Sequence, residues 1–339
     1  MIQPAEADPI LVEVTRGALV ESRHCGAAAV CDADGALVQS WGDVERPVYP
    51  RSAVKPLQAL PLIETGAADR FGLTDAEIAL ACASHSGEPE HEGAVIDWLR
   101  AIGLSGSDLE CGEHWPMHED AARALVREGR SPSAVHNNCS GKHSGFLTAA
   151  RHLGEPTKGY IAADHPAQRR VRQALSDMCA IDLSGAPAGI DGCGIPTIAM
   201  PLSALARGMA RLAAGTGFGP SRQAACTRIR RAMTTHPLMV AGHGRFCTEI
   251  MEANLGAVVV KSGAEGVYVA ALPERRLGIA IKIADGASRA AETAMAALLR
   301  RLGGLSGAGA EVVERWLEPP IRNRAGIEIG VMRSVAWRA

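Results

Sequence analysis

The chain has 339 residues, with 35 basic against 37 acidic side chains for a formal net charge of −2, only 4% aromatic residues, and 37 glycines. Charge so nearly balanced argues against a nucleic-acid groove or an anionic membrane surface as partner, and so few aromatics leave no stacking platform for bases or sugars. No stretch approaches the ~18 consecutive apolar residues of a membrane-spanning helix.

The residues from Met1 to Pro9 are acidic and lack a basic segment followed by an apolar run, so no secretory signal is expected there. The nine cysteines are scattered and odd in number. Cys25, Cys31, Cys82, Cys179, Cys226 and Cys247 lie in apolar segments and read as buried free thiols. A reducing compartment, the cytoplasm, is therefore expected. The length suits one large domain or two closely packed ones.

Taken in chain order, residues 10–42 read as a β-meander, with Asp34-Gly35 turning between Ala27–Cys31 and Leu37–Trp41. A helix is predicted from about Ala53 to Glu64, ended by Gly66 and kinked or divided at Pro61. Thr74 is placed to N-cap Asp75–Cys82, with Glu77 completing a capping box. Pro89 suits the first turn of a helix running to about Ile102. Further helices are predicted near His118–Arg127, Gly141–His152, Pro166–Met178, Leu202–Leu212 and Ser221–Thr235. Beyond Asn254 the pattern returns to β-branched runs at Ala257–Lys261, Val267–Leu272 and Leu277–Ile283, followed by an amphipathic helix at Ser288–Leu302 and a last strand at Ile327–Val335. Strands at both ends with helices between predict an α/β (α+β) protein. Its antiparallel sheet, flanked by helices, would come from about 1–65 and 255–339, and a mainly helical lobe from about 66–254, together making one catalytic unit.

Four constellations carry chemistry. In Arg51-Ser52-Ala53-Val54-Lys55-Pro56, a serine and a lysine three apart share a helix face. A serine hydroxyl needs a base to become a nucleophile, and a lysine amine serves when burial or a nearby cation such as Arg51 or Lys261 favours its neutral form. Pro56 places Ser52 near a helix start, where the dipole favours developing negative charge. Taken alone, Ser-x-x-Lys arises often by chance. Ala83-Ser84-His85-Ser86-Gly87-Glu88-Pro89 clusters polar residues between two apolar patterns; it suits a loop reaching into a site, and equally a plain turn. His136-Asn137-Asn138-Cys139-Ser140-Gly141-Lys142-His143 and Asp191-Gly192-Cys193-Gly194 offer two thiols, a lysine and two histidines. That is no standard structural zinc pattern, and two unpaired cysteines in tight turns is the plain alternative. Lys261-Ser262-Gly263-Ala264-Glu265-Gly266 puts a lysine and small residues at a strand end, where a substrate can approach closely; an exposed turn lysine is the alternative. Outside these, His236-Pro237 and Gly242-His243-Gly244 read as turns, and Arg169-Arg170-Val171-Arg172 as a solvated helix face.

In this order the four constellations resemble the rhizobial-type, or class 3, L-asparaginases of the asparaginase II family, over nearly the whole chain. The resemblance implies a fold similar to serine β-lactamases and glutaminases. It implies hydrolysis of L-asparagine to L-aspartate and ammonia, with Ser52 and Lys55 as one catalytic pair and Ser84 and Lys261 as a second. Arg51, His143 and Asp191 match positions that hold the substrate amino acid. Cys139, Lys142 and Cys193 match a zinc site beside it, and the family implies a homodimer. Of the two serines, local physics favours Ser52 as nucleophile and Ser84 as proton shuttle. Two rival readings remain open: a glutaminase or penicillin-hydrolase-like acyl hydrolase, since one methylene of pocket length discriminates weakly, and a non-catalytic, zinc-dependent amino-acid-binding protein, which would need no pair of Ser–Lys couples.

Overall fold

The computed structural model describes residues 8–254, 256–305 and 307–337; residues 1–7, considered above for a secretory signal, lie outside the described residues. The chain divides into two compact units. The first holds the described residues up to Ala53, Met200–Ala214, and the described residues from Glu249 onward. The second holds Val54–Ala199 and Gly215–Thr248.

The first unit is built on an antiparallel sheet of eight strands among the described residues. They are β1 (Ile10–Arg16), β2 (Leu19–Asp32), β3 (Leu37–Trp41), β4 (Val259–Ser262), β5 (Val267–Leu272), β6 (Leu277–Ile283), β7 (Pro320–Arg322) and β8 (Glu328–Ser334). Their order is β7-β8-β1-β2-β6-β5-β4, with β3 also on β2. The first half of β2 pairs β1, and the second half, Gly26–Asp32, pairs Ile283–Leu277 of β6 on one edge and β3 on the other. As the sequence predicts, the turn into β3 falls at Asp34-Gly35, where the Asp32 carboxylate accepts the Asp34 and Ala36 amides.

β5 and the centre of β6 are buried at every residue, without the alternation of a half-exposed sheet. Both faces are covered. Helix Leu202–Ala214 packs on β2, β5 and β6, and helix Ser288–Arg301 packs on β1, β5, β6 and β8. At Gly278 the first of these helices touches the sheet backbone to backbone. A Cβ there would sit 2.1 Å from both the Ala206 carbonyl oxygen and the Ala210 nitrogen.

The second unit is mainly helical, and several of its helices begin where the sequence provides caps or prolines. Thr74 and Glu77 form the predicted capping box on Asp75–Ala81, Pro89 opens Pro89–Ala101, and Pro166 and Pro220 open Pro166–Cys179 and Pro220–Thr235. Pro61 does divide the 53–64 segment, into Lys55–Gln58 and Leu60–Glu64.

Three expectations are corrected. Residues 54–65 belong to the helical unit, because helices Lys55–Gln58 and Leu60–Glu64 pack on Ser140–Leu153, Pro166–Cys179 and Pro220–Thr235. Helix Leu202–Ala214 belongs to the sheet unit, because it is the layer on β6. Ser52 does not start an α-helix; it lies in a 3₁₀ turn, Arg51–Val54. Pro56 has no N–H to return to the Ser52 carbonyl, so the α-pattern cannot include Ser52. The dipole of the four-residue helix that follows then contributes little at Ser52. Helix Ala308–Leu317, strand β7 and the hairpin Ala188–Ile190 with Pro196–Ile198 had no clear signal in the sequence.

Gly278→Val would drive a branched side chain into helix Leu202–Ala214. We expect a loss of at least about 2 kcal/mol of stability, at the upper part of the overpacking range, measured by urea unfolding; an unchanged midpoint would refute the backbone-to-backbone packing.

Candidate active site

The polar loop Cys82–Glu88 is buried throughout. It leaves the end of helix Asp75–Ala81 just where helix Ser140–Leu153 crosses. At Gly141 a Cβ would lie 2.3 Å from the Leu80 carbonyl oxygen, so only glycine allows this approach. The turn ahead of that helix is fixed by Asn137, which donates to the Cys111 and Gly112 carbonyls at 2.8 and 3.1 Å and accepts the Cys139 amide at 2.9 Å. The two loops are then stitched by His85 Nε2 to Ser140 Oγ at 2.9 Å. Ser140 donates its own proton to the Val135 carbonyl, and His85 Nδ1 accepts from Gly87 N. His85 is therefore a neutral imidazole with its proton on Nε2.

Into this junction comes Lys55, 1% exposed. Its Nζ contacts the Ala83 carbonyl, Ser84 Oγ at 3.1 Å and the Asn138 carbonyl at 3.4 Å. Two of these partners are carbonyls that only accept. Ser84 alone among the three can reverse its hydrogen bond and donate to a neutral amine. The amide of Ser84 is committed to the Val240 carbonyl at 3.0 Å. Its own N–H is thus not available to an oxyanion.

His143 is fully buried. The Glu110 amide donates to Tyr160 Oη at 2.8 Å, which turns the Tyr160 proton onto His143 Nδ1, also at 2.8 Å. The imidazole proton then sits on Nε2, which has no hydrogen-bond partner among the described residues. Burial, followed by the nearby charges of Lys142 and Lys55, holds the His143 pKa well below the ordinary value, so the ring stays a neutral donor.

Cys139, Lys142 and Cys193 converge. The hairpin loop Asp191–Ile195 is closed by Asp191 N to the Ile195 carbonyl and Gly194 N to the Asp191 carbonyl, and it delivers Cys193 Sγ 3.0 Å from Lys142 Nζ. A hydrogen bond from Cys193 is the chief cause that depresses the Cys139 pKa well below that of an ordinary thiol. It acts against burial and is aided by the charges of Lys142 and Lys55. Burial disfavours the Lys142 ammonium, but Cys139 and Cys193 outweigh it and raise its pKa. Two sulfurs and an amine are a donor set that suits zinc once the amine sheds its proton. Among the described residues no group of three or more His, Cys, Asp or Glu side chains is placed to hold a metal; Cys139, Lys142 and Cys193 offer two sulfurs and would need the lysine as a third donor.

Arg51, Ser52 and Lys261 belong to the first unit. Arg51 has φ +49°, in the left-handed region, a conformation that costs a non-glycine residue about 1–2 kcal/mol and tends to persist where function requires it. Lys261, 1% exposed, lies on β4 and donates to the Ser262 carbonyl at 2.7 Å. Gly263 follows, and a Cβ there would be 2.8 Å from the Pro50 carbonyl oxygen and 3.0 Å from Ala53 N. The end of β4 therefore abuts the Arg51–Ser52 turn. Ser84, Lys55, His143, Asp191, Cys139, Lys142 and Cys193 belong to the second unit. Tyr160, which sets the His143 tautomer, was not singled out in the sequence. It stands 17 residues from its partner, in a loop with no motif of its own.

A family model described as L-asparaginase II matches residues 12–334. Among solved structures, the chain is similar to a β-lactamase from Mycobacterium bovis, at 14% identity, covering 81% of this chain and 94% of that one with a TM-score of 0.42. It is similar to Mglu in its glutamate form, at 14% identity, 82% and 61% coverage and a TM-score of 0.43. It is also similar to a D-alanine carboxypeptidase AmpC from Burkholderia cenocepacia, at 14% identity, 83% and 93% coverage and a TM-score of 0.40. No curated protein matches.

Burial is the first cause that lowers the pKa values of His85, His91 and His143. The unfolded chain therefore binds more protons than the folded one below the ordinary histidine value of 6.5. Their stabilising contribution is complete above that pH and is lost as pH falls through and below it, by up to about 1.4 kcal/mol per pH unit for each ring. Urea midpoints at pH 7.5, 6.5 and 5.5 should fall in that order, and a flat series would show that these rings are not buried neutral. In a separate test, Tyr160→Phe strips the partner from both His143 Nδ1 and the Glu110 amide and should cost about 1–3 kcal/mol.

Proposed function

The chain belongs to the L-asparaginase II family, a hydrolase family acting on amides, and from that premise we propose that it is a rhizobial-type (class 3) asparaginase. Its substrate would be L-asparagine and its products L-aspartate and ammonia. The observation that carries this reading is the buried Lys55–Ser84 hydrogen bond of 3.1 Å, a serine hydroxyl held against an amine whose other partners are carbonyls. As a neutral amine, Lys55 keeps two N–H groups on those carbonyls and turns its lone pair to Ser84, which is the arrangement a general base requires.

In this reading a serine oxygen attacks the side-chain amide carbon. The base takes the hydroxyl proton and passes it to the departing ammonia, and water then hydrolyses the aspartyl ester. We assign attack to Ser52, with Lys55 and Ser84 as the proton relay and Lys261 as the second lysine. The same hydrogen bond favours a second reading, Ser84 itself as nucleophile. Arg51 takes the α-carboxylate and Asp191 the α-ammonium of the substrate. His143 Nε2–H, a buried donor with no acceptor among the described residues, would be satisfied by a substrate oxygen. Cys139, Lys142 and Cys193 would hold zinc, and the ion when bound supplies a fixed positive charge beside the substrate. No disulfide joins the cysteines among the described residues, which suits the reducing cytoplasm, and we expect a homodimer.

Ammonia release should be seen with L-asparagine and be much weaker with L-glutamine, with no turnover of a chromogenic β-lactam; the reverse order would make the protein a glutaminase or penicillin-hydrolase-like enzyme, and zinc-dependent binding without turnover would make it a sensor. Purified protein should carry about one zinc per chain, lowered in Cys139→Ser and Cys193→Ser. Asp191→Ala and Arg51→Ala should each lower kcat/KM by about 10²-fold or more, as expected when a ligand charge loses its partner. Acid-quenched mass spectrometry should find the aspartyl adduct on the Ser52 peptide. An adduct on the Ser84 peptide would reverse the two serines, and a fully active Ser52→Ala would remove Ser52 from the mechanism.

A further inference from the structure

The turn that carries Ser84 is gripped along its length by one segment of the same unit, Leu238–His243. Ser84 N donates to the Val240 carbonyl at 3.0 Å. Ser86 Oγ donates to the Ala241 carbonyl at 2.8 Å. The Glu88 carboxylate accepts the His243 amide at 3.0 Å and also engages His243 Nδ1. His91 takes the Glu88 amide on Nδ1 at 3.2 Å and donates Nε2–H to the Leu238 carbonyl at 2.9 Å. Residues 84, 86, 88 and 91 thus each fasten a different point of the strap. Its far side is pinned too, by Thr248 Oγ1 to the Gly242 carbonyl at 2.7 Å. Gly242 has φ +118°, and a Cβ there would lie 2.2 Å from Glu88 Oε1 and 2.6 Å from Ser86 Oγ, so strap and turn meet with no space between them.

Glu88 is the one carboxylate in this clasp, and it is buried while His243 is exposed. A buried carboxylate is costly unless its hydrogen bonds are made, so Glu88 stays put only while the strap is closed on it. Ser84 needs exact placement, because Lys55 is already committed to two carbonyls and cannot follow a wandering hydroxyl.

We propose that Glu88 is a positioning residue for the Ser84–Lys55 pair, acting by fastening the Leu238–His243 strap whose Val240 carbonyl fixes the Ser84 backbone. This rests on the reading of Ser84 and Lys55 as catalytic. Misplacing a catalytic group by about 1 Å costs on the order of 10²-fold in rate. The Glu88 carboxylate is spent on His243 of the strap, so binding should change little.

The experiment uses the full-length protein and pairs hydrogen exchange, read by mass spectrometry, with steady-state kinetics on L-asparagine. Glu88→Ala should raise exchange together in the peptides covering 82–88 and 238–243. It should lower kcat by about 10²-fold with KM within about threefold. Glu88→Gln keeps an acceptor of the same size for the His243 amide and should recover most of kcat. His243→Ala, at an exposed position, and Gly242→Ala, from the opposite side, test the clasp without removing the buried carboxylate. Each should raise exchange in both peptides and lower kcat more than it alters KM. Unchanged exchange at 82–88 in all of these variants, or loosened exchange with full kcat, overturns the proposal. A wild type that releases no ammonia from asparagine overturns the reading beneath it, and the exchange data still decide whether the clasp exists.

Discussion

The absence of a side chain at position 141 sets the chemistry of the helical unit. Helix Ser140–Leu153 meets the last turn of helix Asp75–Ala81 so closely that a Cβ would fall 2.3 Å from the Leu80 carbonyl oxygen. The turn Cys82–Glu88 departs from one helix at this point, and Cys139–His143 opens the other. Contact at Leu80 and Gly141 therefore forces the two polar segments together. His85 can then reach Ser140, and Lys55 can reach Ala83, Ser84 and Asn138 at once. A buried polar group such as the Lys55 amine is costly unless its hydrogen bonds are made, and the three partners gathered by this one contact are what offset that cost.

Much of the architecture was legible because its signals are local. The capping box at Thr74 and Glu77, the break at Pro61 and the Asp34-Gly35 turn each involve neighbours within a few residues, where sequence and geometry are directly linked. Helix Leu202–Ala214 shows the limit. Its existence follows from its pattern, but it is buried on nearly every face, so no polar stripe says which layer it joins. Only the glycine at 278, more than sixty residues later, identifies the strand it lies on. Ser52 shows a different limit: Ser-x-x-Lys reads as one helical face, and the missing N–H of Pro56 turns the first part into a 3₁₀ bend.

The polar cluster of the helical unit was legible as a set of residue types and illegible as a set of bonds. Every chemical residue named from the sequence sits in one of a few short motifs, because such motifs concentrate polar atoms where apolar ones would otherwise pack. The partners were not readable. Lys55 is joined to Ser84 across 29 positions, and the tautomer of His143 is decided by Tyr160 and the Glu110 amide. Hydrogen-bond direction depends on what the third atom in a chain is doing, and a linear pattern of residue types carries no such information.

The same logic applies to the buried cluster of Cys139, Lys142 and Cys193. With Cys139 a thiolate, Lys142 an ammonium and Cys193 a thiol, the cluster is neutral, and each group has a charged or hydrogen-bonded neighbour. A zinc ion held by two thiolates and a neutral amine is also neutral. Zinc binding here would release two protons, one from Lys142 and one from Cys193, and would leave the net charge inside the protein unchanged. A fold that had to bury a net charge in either state would pay heavily for it. The lysine closes the balance in both, whereas a third thiolate in its place would leave a zinc form negative.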